Sequence, residues 1–197
     1  MSEHERLAAM AEELRRSDDY RVLERLRHRP VLADAGGRDE GVGLVVDVET
    51  TGRDAGRDAI IQLAAMRFRF VRETGEVTTV DEPVTGFEDP GRPIPEVIQE
   101  LTGITDAMVA GKRLDEERFT TLAEEADLVI AHNAAFDRPF LEARLPAFRN
   151  RPWACTWAEV PWGPGSQTLE MLLLKHCDRF VSPHQADEDC LAVIELL

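Results

Sequence analysis

The chain has 197 residues, 43% hydrophobic and 31% charged, with a formal net charge of −15. That length suits one well-packed domain with a small appendage, and that charge argues against a protein that grips duplex nucleic acid through its phosphates. It leaves room for a site where bound divalent cations supply the positive charge.

Cys155, Cys177 and Cys190 are an odd number without a close-spaced pair, so neither a disulfide framework nor a zinc site is expected. The first residues are charged rather than apolar, and no apolar run approaches the roughly 20 residues of a membrane span. A soluble, cytoplasmic protein with reduced thiols is the expectation. Within the first thirty residues seven Arg balance seven acids, so the anionic excess lies downstream.

Leu7, Met10, Ala11 and Leu14, then Val22, Leu23 and Leu26, have the spacing of two short amphipathic helices, with Ser17-Asp18-Asp19 between them as break and cap. Ala33–Gly43, with its Gly and acids, reads as a linker. This predicts a helical extension over 1–38 and a main domain over 39–197.

Gly43–Val46 is a β-branched apolar run, the pattern of a buried strand, and it ends in Asp47-Val48-Glu49-Thr50-Thr51-Gly52. Alternation along the strand puts Asp47 and Glu49 on one face, roughly 7 Å apart. Two anions there repel each other and resist desolvation unless cations lie between them. A solvated acidic turn is the competing reading of these residues alone. Ile60–Val71 alternates, and Gly75 leads to a strand over Val77–Val84. Pro90, Pro93 and Pro95 connect to a short helix, Glu96–Leu101, ended at Gly103; Leu114–Ala126 is helical by period.

Leu128–Ala131 is a second buried strand, followed by His132-Asn133-Ala134-Ala135-Phe136-Asp137. A helix runs from there to about Leu145, its start placed between Ala134 and Arg138 because of Pro139. Trp153–Trp157 is a candidate last strand, and Leu169–His176 and Gln185–Leu197 read as helices. The order implies an α/β domain: a mixed five-stranded sheet with helices on both faces. The Trp- and Pro-rich stretch over 152–164 fits the core better than a substrate wall. Arg138, Arg144, Arg149 and Arg151 are scattered surface cations with an option of guiding a phosphate backbone.

Asp137 opens a helix at a strand end, as a cap or a ligand, and Asp189 lies early on the last helix, where acids are also expected as first-turn residues. Four acids at the ends of buried elements suggest a common crevice. An all-oxygen donor set suits Mg²⁺ or Mn²⁺, and two such ions can hold the attacking and leaving oxygens of a phosphodiester. His184, five residues before Asp189, is the candidate base. Ser182-Pro183-His184-Gln185 also reads as a capping box, but a helix begun there would leave His184 and Asp189 about 140° apart. The helix is therefore expected to start after His184.

In that order, Asp47-x-Glu49-Thr50-Thr51-Gly52, His132-Asn133-Ala134-Ala135-Phe136-Asp137 and His184-x4-Asp189 resemble the three motifs of the DEDDh (DnaQ-like) 3′–5′ exonucleases. The middle motif resembles that of the proofreading subunit of bacterial replicative DNA polymerase. The likeness runs from Gly43 to Leu197 and takes in Leu101-Thr102-Gly103-Ile104-Thr105. It implies a ribonuclease H-like fold and two divalent cations, Mg²⁺ or Mn²⁺. Asp47, Glu49 and Asp189 would hold the tighter one, Asp47 would bridge to the second with Asp137 in support, and His184 would be the general base. Thr50, Thr51, Gly103, Ile104, His132, Asn133 and Phe136 would hold the terminal nucleotide. The implied activity is release of nucleoside 5′-monophosphates from single-stranded 3′ ends or short oligonucleotides, DNA favoured, with a polymerase as a candidate partner. Its rivals are an RNA-trimming enzyme of the oligoribonuclease or ribonuclease T type, and a polymerase-associated binding module with a vestigial site.

Overall fold

The computed structural model describes residues 2–182 and 184–197. Ser2 caps helix α1 (Glu3–Arg15) through a reciprocal capping box with Glu5. The second amphipathic helix is absent: Val22 to Leu26 is not helical, and β1 (Glu24–Arg25) pairs in parallel with a strand near the far end of the chain. An isolated helix so short is marginal in water, and here tertiary contacts decide, because Leu26 is buried in the main core.

The central strand β2 (Glu40–Thr50) begins inside the stretch read as a linker. Gly41 and Gly43 are strand residues covered by aromatic rings: a Cβ on Gly43 would lie 2.2 Å from the Phe68 ring, and one on Gly41 2.5 Å from Phe70. Strand β3 (Ile60–Val71) runs antiparallel to β2 along its whole length. The single strand expected over 77–84 is two strands, β4 (Val77–Val80) and β5 (Val84–Phe87), both paired with β3, at Phe68–Phe70 and at Gln62–Ala65 respectively. Pro83 between them has no N–H to donate to a ladder, and the length of β3 accommodates both.

Helix α2 (Glu96–Thr102) ends on Gly103, whose φ of 72° is the left-handed cap. An unanticipated short α3 (Asp106–Val109) precedes α4 (Glu116–Glu125), which Asp115 caps. Strand β6 (Leu128–Ala131) lies parallel beside β2 and leads into α5 (Ala134–Arg144), which starts at the early limit and keeps Pro139 inside it. A 3₁₀ turn (Pro146–Asn150) is followed by β7 (Trp153–Cys155), parallel to β6 and shorter than expected because α6 (Thr156–Glu159) takes Trp157. Helix α7 (Leu169–His176), β8 (Arg179–Phe180) and α8 (Ala186–Leu196) complete the chain.

The mixed sheet has the order β4-β3-β2-β6-β7, with β5 also on β3, so it holds six strands rather than five. Alternation on β2 sorts the core into two layers. Leu44, Val46 and Val48 pack with Phe119, Leu141 and Phe148 from the α4 and α5 side, whereas Val45 packs with Leu173, Cys190 and Val193 under α7 and α8. Helices therefore cover both faces, as the element order implies. Trp153 packs on the first core layer, while Trp157 is exposed.

Because the Phe68 ring occupies the space above Gly43, Gly43→Ala must displace a buried aromatic. It should destabilise the protein by about 1–3 kcal/mol, read in thermal denaturation as a Tm lowered by roughly 2–10 °C. An unchanged Tm would show that the ring is not packed on the strand.

Candidate active site

Asp47 and Glu49 share the face of β2 that carries Val45, and that face looks toward α8. Asp189, in the first turn of α8, meets them there: one carboxylate oxygen from each of the three lies within 4.8 Å of the others. Cys190 beside Asp189 seats α8 on the sheet, its thiol directed at the carbonyls of Val45 and Ala64 at 3.8 and 3.7 Å. The strand period and one helical turn are enough to place three of the acids.

Asp137 reaches the same place from the other side. It is buried on the first turn of α5, and its Oδ1 accepts the N–H of Val48 at 3.1 Å. It is not a cap of that helix; Asn133, with φ 71°, occupies the N-cap position. Burial lifts the Asp137 carboxyl to about 8 against the pull of that hydrogen bond. Burial also raises Glu49 to about 7 and Asp189 to about 7, and Asp47 well above the carboxylate range, where the charges of Asp137, Asp189 and Glu49 add to it. Among the described residues no Lys or Arg lies in ion-pair contact with any of the four. Among the described residues these anions have no ion-paired cation, and three clustered oxygen donors fit a hard divalent cation.

The last helix starts at Ala186, after His184, as the angular argument requires. The capping-box alternative includes Pro183, which lies outside the described residues. His184 is exposed, has φ 60°, and lines the cleft; its backbone N–H donates to the Asp189 carboxylate. His132 is otherwise engaged. Its Nε2 lies 2.7 Å from the Gln167 carbonyl and Nδ1 2.9 Å from Thr156 Oγ1. A carbonyl only accepts, so Nε2 carries the proton and Nδ1 accepts from the hydroxyl; burial lowers the pKa of the ring. His132 thus ties the end of β6 to the connection before α7.

The acids open into a cleft of about 440 Å³, lined by Thr50, His132, Asn133 and Phe136 among the expected nucleotide-binding residues. Three others do not line it. The Thr51 hydroxyl is buried, accepting from Arg92 at 2.8 Å and from the Ala59 N–H at 3.1 Å, and so organises the turn after β2. Ile104 is buried in a satellite core with Ile61, Ile94 and Val109, and Gly103 is the exposed cap of α2. The wall on that side is made instead by Ile98, Leu101 and Thr102 of α2, with Gly52 and Arg53. Leu101 and Thr102 are in the sequence piece already singled out, but the burial of Ile104 depends on α3, which has no sequence signal of its own. A Cβ on Gly52 would lie 2.4 Å from the Asp58 carboxylate, so a side chain there would push that carboxylate off Arg92 and the Asp54 N–H. Arg138, Arg144 and Arg149 donate to Glu142, to Glu88 and Glu116, and to the Glu142 carbonyl, so they serve the fold. Arg151 likewise donates to the Glu124 carbonyl.

The family model described as Exonuclease (RNase_T) matches residues 44–161, which include Asp47, Glu49 and Asp137. The PolC-type DNA polymerase III of Bacillus subtilis is 40% identical over 116 residues, 57% of this chain, and that of Pediococcus pentosaceus is 39% identical over 103 residues, 51% of it. The chain matches only 8% and 7% of the lengths of those relatives. Among solved structures, Exonuclease X in complex with 5′ overhanging duplex DNA superimposes with a TM-score of 0.59 and 26% identity, covering 78% of this chain and 87% of that one. E. coli Exonuclease I in complex with a dA16 oligonucleotide shares the fold, with a TM-score of 0.59, 21% identity, and coverage of 79% and 40%. Since the family match spans more than half of the sequence, from the strand bearing Asp47 to the turn after α6, the chain belongs to the exonuclease family, in its DnaQ-like 3′–5′ group.

Proposed function

We propose that the protein is a divalent-cation-dependent 3′–5′ exonuclease that removes nucleoside 5′-monophosphates from single-stranded nucleic acid, with DNA favoured. The observation that carries this reading is the meeting of Asp47, Glu49 and Asp189 within 4.8 Å of one another, with Asp137 and His184 lining the same cleft. On this reading Asp47, Glu49 and Asp189 hold one Mg²⁺ or Mn²⁺, and Asp47 with Asp137 supports a second. Bound cations supply charge neutralisation for the scissile phosphate and lower the pKa of the attacking water. A ring nitrogen of His184 takes the proton from that water. Ile98, Leu101 and Phe136 present apolar surface to the terminal base, an interaction tolerant of sequence. His132 holds the cleft floor rather than the nucleotide. Residues 39–197 carry the reaction, residues 1–38 support it, and the PolC-type relatives make a replicative polymerase in the cytoplasm the natural partner.

Asp47→Asn and Asp189→Asn should each abolish release of mononucleotides from a 3′-labelled oligonucleotide, as should chelation. Near-wild-type activity in either variant would overturn the assignment of ligands. Matched DNA and RNA oligomers, with the products sized, decide the substrate: faster digestion of RNA would replace the DNA reading with the RNA-trimming one.

The metal-free protein carries a second signature. Carboxyls near 7 and 8 in the folded chain titrate near 4 when unfolded. Through that window the folded state binds more protons, so stability falls as pH rises. In EDTA, Tm should be lower at pH 8 than at pH 5.5, and Mn²⁺ at pH 8 should restore it. Asp137→Asn, which keeps an oxygen for the Val48 N–H and removes a buried charge, should raise Tm in EDTA at pH 8 by about 2–4 °C while lowering activity. A fall in Tm there would show that Asp137 is not electrostatically strained.

A further inference from the structure

The segment carrying His184 is held by a residue from the opposite end of the chain. Strand β1 pairs with β8 in the register Glu24 to Arg179 and Arg25 to Phe180. The N–H of Glu24 donates to Asp178 at 3.0 Å, and that of Leu26 to Phe180 at 2.9 Å. Leu26 enters the core beside Val181, which anchors the strand. Alternation then turns Arg25 the other way. Its guanidinium lies over the Phe180 ring, 5.2 Å from the centroid, and both terminal nitrogens donate to Ser182 Oγ at 3.2 Å. One of them also donates to the Glu188 carboxylate at 3.0 and 3.2 Å. Glu188 in turn accepts the N–H of Ser182.

Arg25 therefore joins Ser182, at the start of the loop, to Glu188, in the first turn of α8. His184 lies between these two residues, and Asp189 immediately follows the second. His184 does not adopt its conformation from local preference alone: it sits at φ 60°, where a side chain costs roughly 1–2 kcal/mol, and it is exposed. A planar guanidinium bridging a hydroxyl and a carboxylate sets both spacing and direction, which a single point charge does not.

We infer that Arg25 is a positioning residue for His184: by tying Ser182 to Glu188 it holds His184 at the cleft that the carboxylates line. This rests on the reading of His184 as proton acceptor. The bland alternative is an exposed ion pair of the kind that often contributes nothing measurable.

A double-mutant cycle in the full chain separates these. Wild type, Arg25→Ala, His184→Ala and the double variant are compared on a 3′-labelled single-stranded oligodeoxynucleotide with Mn²⁺. Arg25→Ala should lower kcat about 10- to 100-fold with KM within about threefold and Tm nearly unchanged, and it should cause no further loss in the His184→Ala background. Arg25→Lys should be intermediate, since it keeps the charge and loses the fork. Wild-type kcat in Arg25→Ala, or the same fold-loss in both backgrounds, overturns the inference. Wild-type kcat in His184→Ala instead indicts the assignment of the base. Hydrogen exchange then decides whether the hold exists: Arg25→Ala should speed exchange of the Ser182 amide about tenfold, and unchanged exchange means that Arg25 does not hold the loop.

Discussion

Four carboxylates crowded at the end of a buried strand impose the constraint around which this molecule is built. Taking such an anion out of water costs on the order of several kcal/mol even after relaxation, and the charges of Glu49 and Asp189 raise both Asp47 and Asp137 besides. The fold bears this because the acids sit at the margin of two thick apolar layers, one under α4 and α5 and one under α7 and α8. They also arrive from different directions. Asp47 and Glu49 follow from the period of β2, Asp189 from the first turn of α8, and Asp137 from around the strand end, tied to the Val48 N–H. Stability of the chain and capacity of the site are opposed here: protons or cations relieve the repulsion, and cations at working pH are what the donor set selects.

Net charge sharpens the point. A chain at −15 gains little from phosphate contacts at long range, and the arginines nearest in sequence to the second motif are bound to glutamates and carbonyls of the fold. Among the described residues Arg53 is the arginine that lines the cleft, together with apolar surface from Ile98, Leu101 and Phe136. On the proposed reading, affinity comes from base stacking and from cation-bridged phosphate at one end of the strand. That favours short segments over long tracts held electrostatically.

Sequence made the site more legible than its surroundings. Asp47 and Glu49 could be placed because a strand alternates regardless of context, and the start of α8 because His184 and Asp189 could not converge on one helix. Leu169–His176 matched because an apolar face of two turns with basic residues at its end has little choice. The misses are all decisions made by distant residues. Glu40 to Val42 read as linker until the Phe70 ring is seen lying over Gly41. Ile104 read as a base-stacking surface, but α3 folds back and buries it with Ile61 and Ile94. One strand over 77–84 became two because β3 is long enough to pair with both. Thr51 read as a nucleotide contact, but Arg92, forty-one residues on, claims its hydroxyl.

The conformation of Val22–Leu26 follows the same logic and links it to the site. As a helix, this segment would set its apolar residues on one stripe and leave Arg25 in solvent. As a strand against β8 it separates neighbours to opposite sides, so that Leu26 enters the core while Arg25 reaches Ser182 and Glu188. Helical propensity over a few residues is worth a few tenths of a kcal/mol each, whereas burying one Leu contributes about 2 kcal/mol. The strand wins on that difference, and the guanidinium is delivered to the His184 loop as a consequence of where the leucine must go.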